Sequence, residues 1–231
     1  MPLLTPTPVL PDAGPRRRLL RAALALAAGA AAGSAGLLQA QDATRGAGLR
    51  PTPPLALGPF YPVRMPTETD ADLTRMASRA ARAEGQLVVL AGRLVDTRGR
   101  PLAGAQLELW QANTHGRYTH SADNDGSGPL DPNFQGYGRL TTDAQGRYSL
   151  TTILPGPYGA RTPHLHFIAS HGTTRLTTQM FFEGEKANER DGLFRALGME
   201  ARRAVTARKA DLPAGSPPGA QALAWEIVLP G

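Results

Sequence analysis

The 231-residue sequence contains no cysteine. This absence excludes disulfides, thiolate metal sites, iron–sulfur clusters and a cysteine nucleophile. Any bound metal must therefore be held by His, Tyr, Asp or Glu, and the absence assigns no compartment.

Lysine is almost as scarce, and the charge of the chain is small. Lys186 and Lys209 are its two lysines, so nearly all of the basic charge is arginine. The formal net charge is +6, and half of it, four Arg against one Asp, lies in residues 1–40. The other half is spread along the remaining chain and gives no case for nucleic-acid binding.

The one long apolar stretch follows a cluster of arginines near the beginning of the sequence. Residues 16–21 read Arg-Arg-Arg-Leu-Leu-Arg, and an Ala-rich apolar stretch extends from Ala22 to about Leu38. A basic region followed by an apolar one is typical of an export signal, and the paired arginines resemble a twin-arginine signal. We therefore expect residues 1–40 to be a signal recognised by the twin-arginine export machinery, and the protein to be periplasmic or extracytoplasmic. A single membrane helix is the alternative, and retention as an uncleaved anchor stays open.

The rest of the sequence predicts an all-β fold. Six prolines between residues 51 and 66 indicate that residues 41–84 form an extended Pro-rich arm followed by a short helix or loop. From residue 85 onward, short strand-like segments alternate with turn signals and no βαβ pattern occurs, so residues 85–231 are expected to form an antiparallel β-sandwich. The predicted strands are residues 87–95, 105–112, 140–142, 148–153, 163–170, 177–182 and 222–229.

Two further predictions concern the connections between strands. The turn at residues 143–146 predicts that the strands on either side of it, 140–142 and 148–153, form a hairpin. Residues 187–219 contain Pro213, Pro217 and Pro218 and are expected to be irregular.

A His-Leu-His sequence within one predicted strand is the main candidate for chemistry. Side chains two residues apart share a face of a strand, so His164 and His166 project together while Leu165 points to the other face. That spacing allows both imidazoles to ligate one metal ion, although a hydrogen-bonded pair of His would give the same pattern. Tyr118 lies in a predicted loop and Tyr158 follows a rigid Pro-Gly-Pro turn. A phenol held against a highly charged cation ionises, and two phenolates with two imidazoles suit Fe(III).

Nine segments between residues 58 and 183 resemble the intradiol ring-cleavage dioxygenases, the family of protocatechuate 3,4-dioxygenase and catechol 1,2-dioxygenase. The segments follow the order that they have in the family, and four residues of metal-ligand type fall in their expected segments at once. The matching segments are residues 58–62, 92–101, 105–113, 116–120, 133–139, 142–148, 155–158, 163–167 and 178–182.

The resemblance implies a catalytic domain over residues 85–231, with a prealbumin-like β-sandwich and long active-site loops. It also implies a non-haem Fe(III) centre in which Tyr158 and His166 are the axial pair. The complete ligand set carried over from the family is Tyr118, Tyr158, His164 and His166.

Four further residues are assigned to the site by the same resemblance. Arg161 lies where the family has an arginine that faces the bound catechol, and Gln179 matches the family's active-site glutamine. Tyr61 and Trp110 are assigned to the substrate pocket, although a core indole on a strand explains Trp110 equally well.

The implied reaction uses O2 to break the bond between the two hydroxyl-bearing carbons of a catechol-type substrate, giving a cis,cis-muconate-type product. Arg161 has the charge needed to stabilise negative charge on the ring, and Gln179 would support the iron site by hydrogen bonding. Only Gly159 and Ala160 separate Tyr158 from Arg161, whereas the protocatechuate enzymes have a longer insert, so a carboxylate-bearing substrate is not predicted. The chain is most similar to the short, exported, single-chain members of the family. The substituents of the catechol and the oligomeric state, a homo-oligomer included, stay open.

Two other classes of protein remain as alternatives. Residues 86–112 also resemble the non-catalytic prealbumin-like modules of secreted proteins, which bind ligands or act as spacers; this class leaves the two Tyr and two His unexplained. The second alternative is a hydrolase or other enzyme that holds a different metal in the same pocket.

The export signal makes a testable prediction. Replacing both Arg16 and Arg17 by Lys is expected to leave the protein in the cytoplasm, because the twin-arginine route depends on the arginine pair. Fractionation of cells that express the variant measures this, and unchanged export of the variant by that route would contradict the assignment.

Overall fold

A computed structural model describes residues 48–123 and 128–230 and confirms the all-β prediction. The expected export signal, residues 1–40, lies outside the described residues. Two short α-helices and one 3₁₀ helix interrupt the strands late in the sequence. The strands are β1 (Leu87–Asp96), β2 (Gln106–Trp110), β3 (Tyr137–Thr141), β4 (Arg147–Ile153), β5 (His164–His171), β6 (Thr174–Phe182), β7 (Thr206–Ala210) and β8 (Gln221–Leu229).

The eight strands form one sheet in the order β3-β2-β5-β6-β7-β8-β1-β4. Most neighbouring strands are antiparallel, but β1 pairs with β8 and β6 pairs with β7 in the parallel sense. The expectation of a purely antiparallel arrangement was therefore wrong. The direction of a strand relative to its neighbour depends on which distant segments pair, and the alternation of side chains along one strand does not encode it.

The predicted hairpin between β3 and β4 is also wrong. The turn itself is present, since Gly146 N–H donates to Asp143 O at 2.9 Å. Beyond the turn the two strands diverge: β3 pairs with β2, and β4 pairs with β1 at the opposite end of the sheet order. The turn thus carries the chain from one half of the sheet to the other.

Part of the segment expected to be irregular is ordered. The 3₁₀ helix Lys186–Arg190, α1 (Gly192–Ala196), α2 (Met199–Ala204) and β7 all lie within it or at its edge. These elements are five or six residues long, and β7 buries little more than Ala207. Elements this short carry too few turns or alternations for a periodic pattern to be visible.

The sheet order has two halves, β3-β2-β5-β6 and β7-β8-β1-β4, and their apolar faces contribute to one core. Alternate residues of β2 and β5, such as Leu107, Leu165 and Phe167, are buried in it together with Leu90 of β1 and Ile227 of β8. Because side chains alternate along a strand, the opposite face of β2, β5 and β6 is left for polar and aromatic residues. That opposite face carries the candidate site.

Residues 48–58, which belong to the extended arm predicted from the sequence, lie along the sheet. From here on, 'the arm' means these residues alone. Thr52 N–H donates to Val228 O at 2.9 Å, and Leu55 N–H donates to Thr177 O at 3.0 Å. The Thr178 hydroxyl donates to Pro53 O at 2.8 Å. These bonds to β6 and β8 satisfy backbone groups of a segment that is not itself a strand, and they direct the chain toward β5.

None of the helices in the described part of the chain is long and apolar enough to cross a membrane.

Candidate metal centre

Four side chains predicted as ligands converge on one point. His164 and His166 project from the same face of β5, and their Nε2 atoms are 3.2 Å apart. Tyr158 Oη lies 3.3 Å from His164 Nε2 and 3.5 Å from Tyr118 Oη. Leu165, between the two His, is buried in the core on the other side of the sheet. The strand geometry expected from the sequence therefore holds, and the structure brings all four predicted residues together.

Two glycines allow the loops that carry the tyrosines to cross. A Cβ added to Gly116 would lie 2.3 Å from Pro157 O, and one added to Gly156 would lie 2.4 Å from Thr114 O. Gly116 also has a φ of 79°, which favours glycine. Because neither position has room for a side chain, the backbones approach closely enough for Tyr118 and Tyr158 to meet edge to face, with ring centroids 5.3 Å apart.

Asn113 fixes this crossing by hydrogen bonds on both sides. Its backbone carbonyl accepts from Gly156 N–H at 2.8 Å and from Gly116 N–H at 3.0 Å. Its side-chain oxygen accepts from Arg117 N–H at 3.0 Å. The residue is buried, so the loops are joined by a desolvated hydrogen-bond hub at the end of β2.

A backbone hydrogen bond leaves one nitrogen lone pair of His164 directed at the centre, and aromatic and backbone contacts position His166. His164 Nδ1 lies 2.6 Å from Thr162 O, and a carbonyl only accepts, so Nδ1 carries the proton and Nε2 is free to bind a metal. His166 stacks on Trp110 at a centroid distance of 4.9 Å and an interplanar angle of 11°. Gly58, at the end of the arm, covers the His166 ring; a Cβ there would lie 2.8 Å from His166 Cε1.

Burial sets the protonation of all four groups. It lowers the pKa of His164 to about 4, with help from the charge of Arg161, and it lowers the pKa of His166 well below the usual value. Both imidazoles are therefore neutral near pH 7. Burial also raises the pKa of Tyr118 and Tyr158, so both phenols keep their protons unless a cation stabilises the phenolates.

The donor set fits a metal ion. Metal bonds of about 2.0–2.2 Å to nitrogen and oxygen, at angles of about 90–120°, separate neighbouring donors by about 2.8–3.8 Å. The three measured separations, 3.2, 3.3 and 3.5 Å, lie in this interval. No cluster of three or more His, Asp or Glu suited to a metal occurs in residues 48–123 and 128–230. Two neutral imidazoles and two ionisable phenols form a hard-to-borderline set that suits Fe(III).

Arg161 lies beside the donors and is held in one orientation. Its Nε–H donates to Asp191 Oδ2 at 2.8 Å, and its Nη2 donates to Gln179 Oε1 at 2.6 Å. Gln179 Nε2 in turn donates to Ala56 O of the arm at 2.7 Å. The two predicted catalytic residues are thus joined in one chain of hydrogen bonds, and the other N–H groups of the guanidinium carry no bond to a described residue.

Asp191 was not among the site residues predicted from the sequence. It has no exposed surface, and its Oδ1 accepts from the first N–H groups of α1, those of Leu193 and Phe194. Burial opposes its ionisation, but hydrogen bonds from Arg161, Phe194 and Thr162 outweigh burial and lower its pKa. The pattern Asp-Gly-Leu-Phe could have indicated a helix N-cap, but nothing in the sequence links it to Arg161.

Tyr61 and Trp110 lie next to the centre and are supported by a second residue that was missed. Tyr61 meets Trp110 edge to face at 5.0 Å, and its hydroxyl donates to Glu108 Oε2 at 2.7 Å. Tyr137 donates to the same oxygen at 2.7 Å. Glu108 precedes Trp110 by two residues, so strand alternation places both on the site face. The stacking of Trp110 on His166 favours its assignment to the site rather than to the main core.

Phe60 closes the tyrosine side of the centre. Its ring lies 4.6 Å from that of Tyr118 and 5.9 Å from that of Tyr158. Phe60 lies within one of the segments that resemble the family, but no role had been assigned to it.

The chain is similar in sequence to known dioxygenases. Residues 57–231 match the model of a family described as Dioxygenase. The chain is 39% identical over 148 residues to the protocatechuate 3,4-dioxygenase beta chain of Burkholderia cepacia, covering 60% of this chain and 63% of the relative. It is 30% identical to the alpha chain from the same organism over 73% of this chain and 88% of the relative.

A solved structure resembles the fold over most of its length. The dioxygenase domain of a dioxygenase–carbohydrate-binding fusion from Streptomyces sp. SirexAA-E superposes with a TM-score of 0.60 at 28% identity, covering 78% of this chain and 99% of that domain. The fold and the matched family are those of a dioxygenase. The chain belongs to the intradiol ring-cleavage dioxygenase family, which confirms the resemblance found in the sequence. It spans 45% of the catechol 1,2-dioxygenase of Candida albicans.

The buried Asp191–Arg161 pair makes a pH-dependent prediction. Asp191→Asn keeps an oxygen for the helix cap but loses the charged acceptor for Arg161, so the free energy of unfolding is expected to fall by about 1.5–3 kcal/mol at pH 7. Because folding lowers the pKa of Asp191, its stabilisation is present above about pH 4 and is lost as pH falls through the lowered value. The difference between wild type and variant should therefore shrink below about pH 4, measured by denaturant unfolding across pH.

Asp143 supplies the matched control for that measurement. It binds Arg147 Nε at 2.7 Å and caps a turn in the same way, but its side chain is 41% exposed. Asp143→Asn should cost less stability than Asp191→Asn. Equal losses for the two variants would show that burial of the Asp191 pair adds nothing.

Proposed function

We propose that this protein is a non-haem Fe(III) dioxygenase that cleaves a catechol-type aromatic between its two hydroxyl-bearing carbons with O2, giving a cis,cis-muconate-type product. The observation that carries the proposal is the convergence of two phenols and two imidazoles, 3.2–3.5 Å apart, beside a fixed arginine. The relatives named protocatechuate 3,4-dioxygenase and catechol 1,2-dioxygenase support it.

Each residue of the centre has a role that follows from its surroundings. Tyr118, Tyr158, His164 and His166 would hold the iron. When bound, the ferric ion would act as a Lewis acid that draws both catechol oxygens to the centre and ionises them. The apolar walls formed by Phe60 and Trp110 restrict water around the substrate ring and hold it flat.

Arg161 stabilises the negative charge that develops on the substrate ring. The guanidinium is permanently charged and is fixed through Nε and Nη2, so no reorganisation is required when charge appears. Its carboxylate partner lies on the Nε side, which leaves the Nη1 side of the fork for the substrate. Gln179 positions Arg161 and ties it to the arm.

The location of the protein is a separate proposal. We infer that it acts outside the cytoplasm after export by the twin-arginine route. The arginine pair and apolar stretch of residues 16–38 support this.

The metal centre makes a spectroscopic prediction. The purified protein should contain iron and show the burgundy colour of a tyrosinate–Fe(III) complex, and it should consume O2 when a catechol is added. Tyr118→Phe, Tyr158→Phe, His164→Ala and His166→Ala should each bleach the visible band or reduce bound iron, because each removes one donor. Colour, iron by mass spectrometry and O2 uptake are the measurements.

Two results would redirect that assignment. A colourless, iron-loaded protein without O2 uptake would favour a non-catalytic binding module, and a different bound metal would favour another enzyme class. A variant that keeps full colour, iron and turnover would remove its residue from the ligand set.

A variant of Arg161 tests whether this residue acts in catalysis or in binding. Arg161→Gln is expected to keep iron and colour and to shift its spectrum when catechol is added, because the four donors are intact. Its turnover should fall at least about tenfold, since a lost donor to developing charge typically costs about 10²–10³. Arg190→Gln, an exposed arginine next to Asp191, is the control and should turn over normally. Normal turnover of Arg161→Gln would place it outside the reaction, and loss of iron would make its role structural.

A further inference from the structure

We propose that a cleft beside Tyr118 binds a bulky, uncharged apolar substituent on the catechol ring, so that the preferred substrates are alkyl- or aryl-substituted catechols. This inference rests on the function proposed above and names the substrate class of the same site.

The cleft borders the candidate metal centre. It has a volume of about 500 Å³, and Phe60, Trp110 and the candidate ligand Tyr118 are among the residues that line it. Phe60 packs on both tyrosines and Trp110 stacks on His166, so the cleft and the four candidate ligands share these rings. A ring bound beside Tyr118 would therefore have its substituent next to the cleft.

The size of the cleft exceeds what an unsubstituted catechol needs. An apolar cavity of about 150 Å³ suffices to hold one benzene ring. The cleft has room for roughly three such rings. Specific binding of catechol itself does not require this volume.

The outer walls are apolar where they face the cleft. Met76, Leu130, Pro132 and Phe134 line it. Two of the polar side chains among the lining residues are bonded elsewhere: Gln135 Nε2 donates to Tyr137 O at 2.7 Å, and Asp131 accepts from Glu84 N–H at 2.7 Å.

Two lining side chains have a polar atom without a hydrogen-bond partner among the described residues. These atoms, Trp110 Nε1 and Gln135 Oε1, are themselves buried, so they add no polar surface to the wall. A polar substituent held against this part of the wall would therefore lose its water without gaining a partner from either atom.

Exposed apolar side chains lie on the chain segments that line the cleft. Val63 is 80% exposed, Met65 48% and Leu130 54%, and they make up three of the seven large hydrophobic residues exposed in the described part of the chain. All three lie on the two segments, 62–66 and 130–137, that line the cleft or its mouth. Apolar groups concentrated at one opening indicate that an apolar molecule enters there.

One cation, Arg64, is among the residues that line the cleft, and it allows a carboxylate-bearing substituent to be tested against an apolar one. Arg64 is exposed and is not among the described ion pairs. Because an ion pair with an exposed arginine contributes little, the structure favours the apolar class over the anionic one.

The first experiment compares kcat/KM of the iron-loaded protein for catechol, 4-tert-butylcatechol, 4-phenylcatechol and 3,4-dihydroxyphenylpropanoate. We expect the two apolar-substituted catechols to exceed catechol by about tenfold or more, since burying even one methylene can change specificity by that factor. A preference for the carboxylate-bearing compound that disappears in Arg64→Gln would overturn the proposal, and so would equal values for all four.

The second experiment fills the cleft. Leu130→Trp should lower the ratio of kcat/KM for 4-phenylcatechol to that for catechol by at least about tenfold, because the indole takes the space of the substituent. Leu212→Trp is the matched control: Leu212 is 47% exposed on a loop outside the cleft, and its variant should keep the wild-type ratio. An unchanged ratio in Leu130→Trp would overturn the proposal.

A binding measurement separates this inference from the proposed reaction. Calorimetry with metal-free protein and 4-phenylphenol, which lacks the second hydroxyl, should show binding that weakens at least about fivefold in Leu130→Trp and is unchanged in Leu212→Trp. Binding without cleavage of any catechol would refute the proposed reaction and still support the cleft. Cleavage of catechols without this binding would refute the cleft alone.

Discussion

The alternation of side chains along β5 is the constraint on which the rest of the site depends. With a period of two residues, a strand that buries Leu165 and Phe167 in the core must present His164 and His166 on the other face. The apolar core and the candidate metal ligands thereby lie on opposite sides of one strand. A shift in register by one residue would move both imidazoles into the core, so the apolar packing of β5 also fixes the position of the donors.

The polar neighbours of the centre are organised around two buried carboxylates, which bind these neighbours by hydrogen bonds. Asp191 accepts a hydrogen bond from Arg161, and Glu108 accepts hydrogen bonds from the hydroxyls of Tyr61 and Tyr137. Hydrogen bonds lower the pKa of both carboxyls against the effect of burial, so each is a fixed negative charge. Fixed charges of this kind orient neighbouring groups in advance, and catalysis by charge stabilisation requires such orientation.

Strand alternation was enough to predict that His164 and His166 share one face of β5. Tyr118, Tyr158, Arg161 and Gln179 were assigned from the resemblance of several segments to a known family, because no local pattern brings such distant residues to one point. The crossing of the tyrosine loops at Gly116 and Gly156 was not predictable, since it joins segments 40 residues apart through the absence of side chains. Asp191 was missed for a related reason: it reaches Arg161 from a helix of five residues within a segment that has little periodicity. The pairing of β3 with β2, and of β4 with β1, likewise depends on contacts that no local pattern records.

The arm joins the centre to distant parts of the described chain. Gln179 binds Ala56 across 123 residues of sequence, and Thr52 binds Val228 across 176. Closing loops of this length costs conformational entropy, which the contacts of the arm must offset. Because Gly58 ends this segment and covers the His166 ring, the shielding of that imidazole depends on contacts that only the complete sheet supplies.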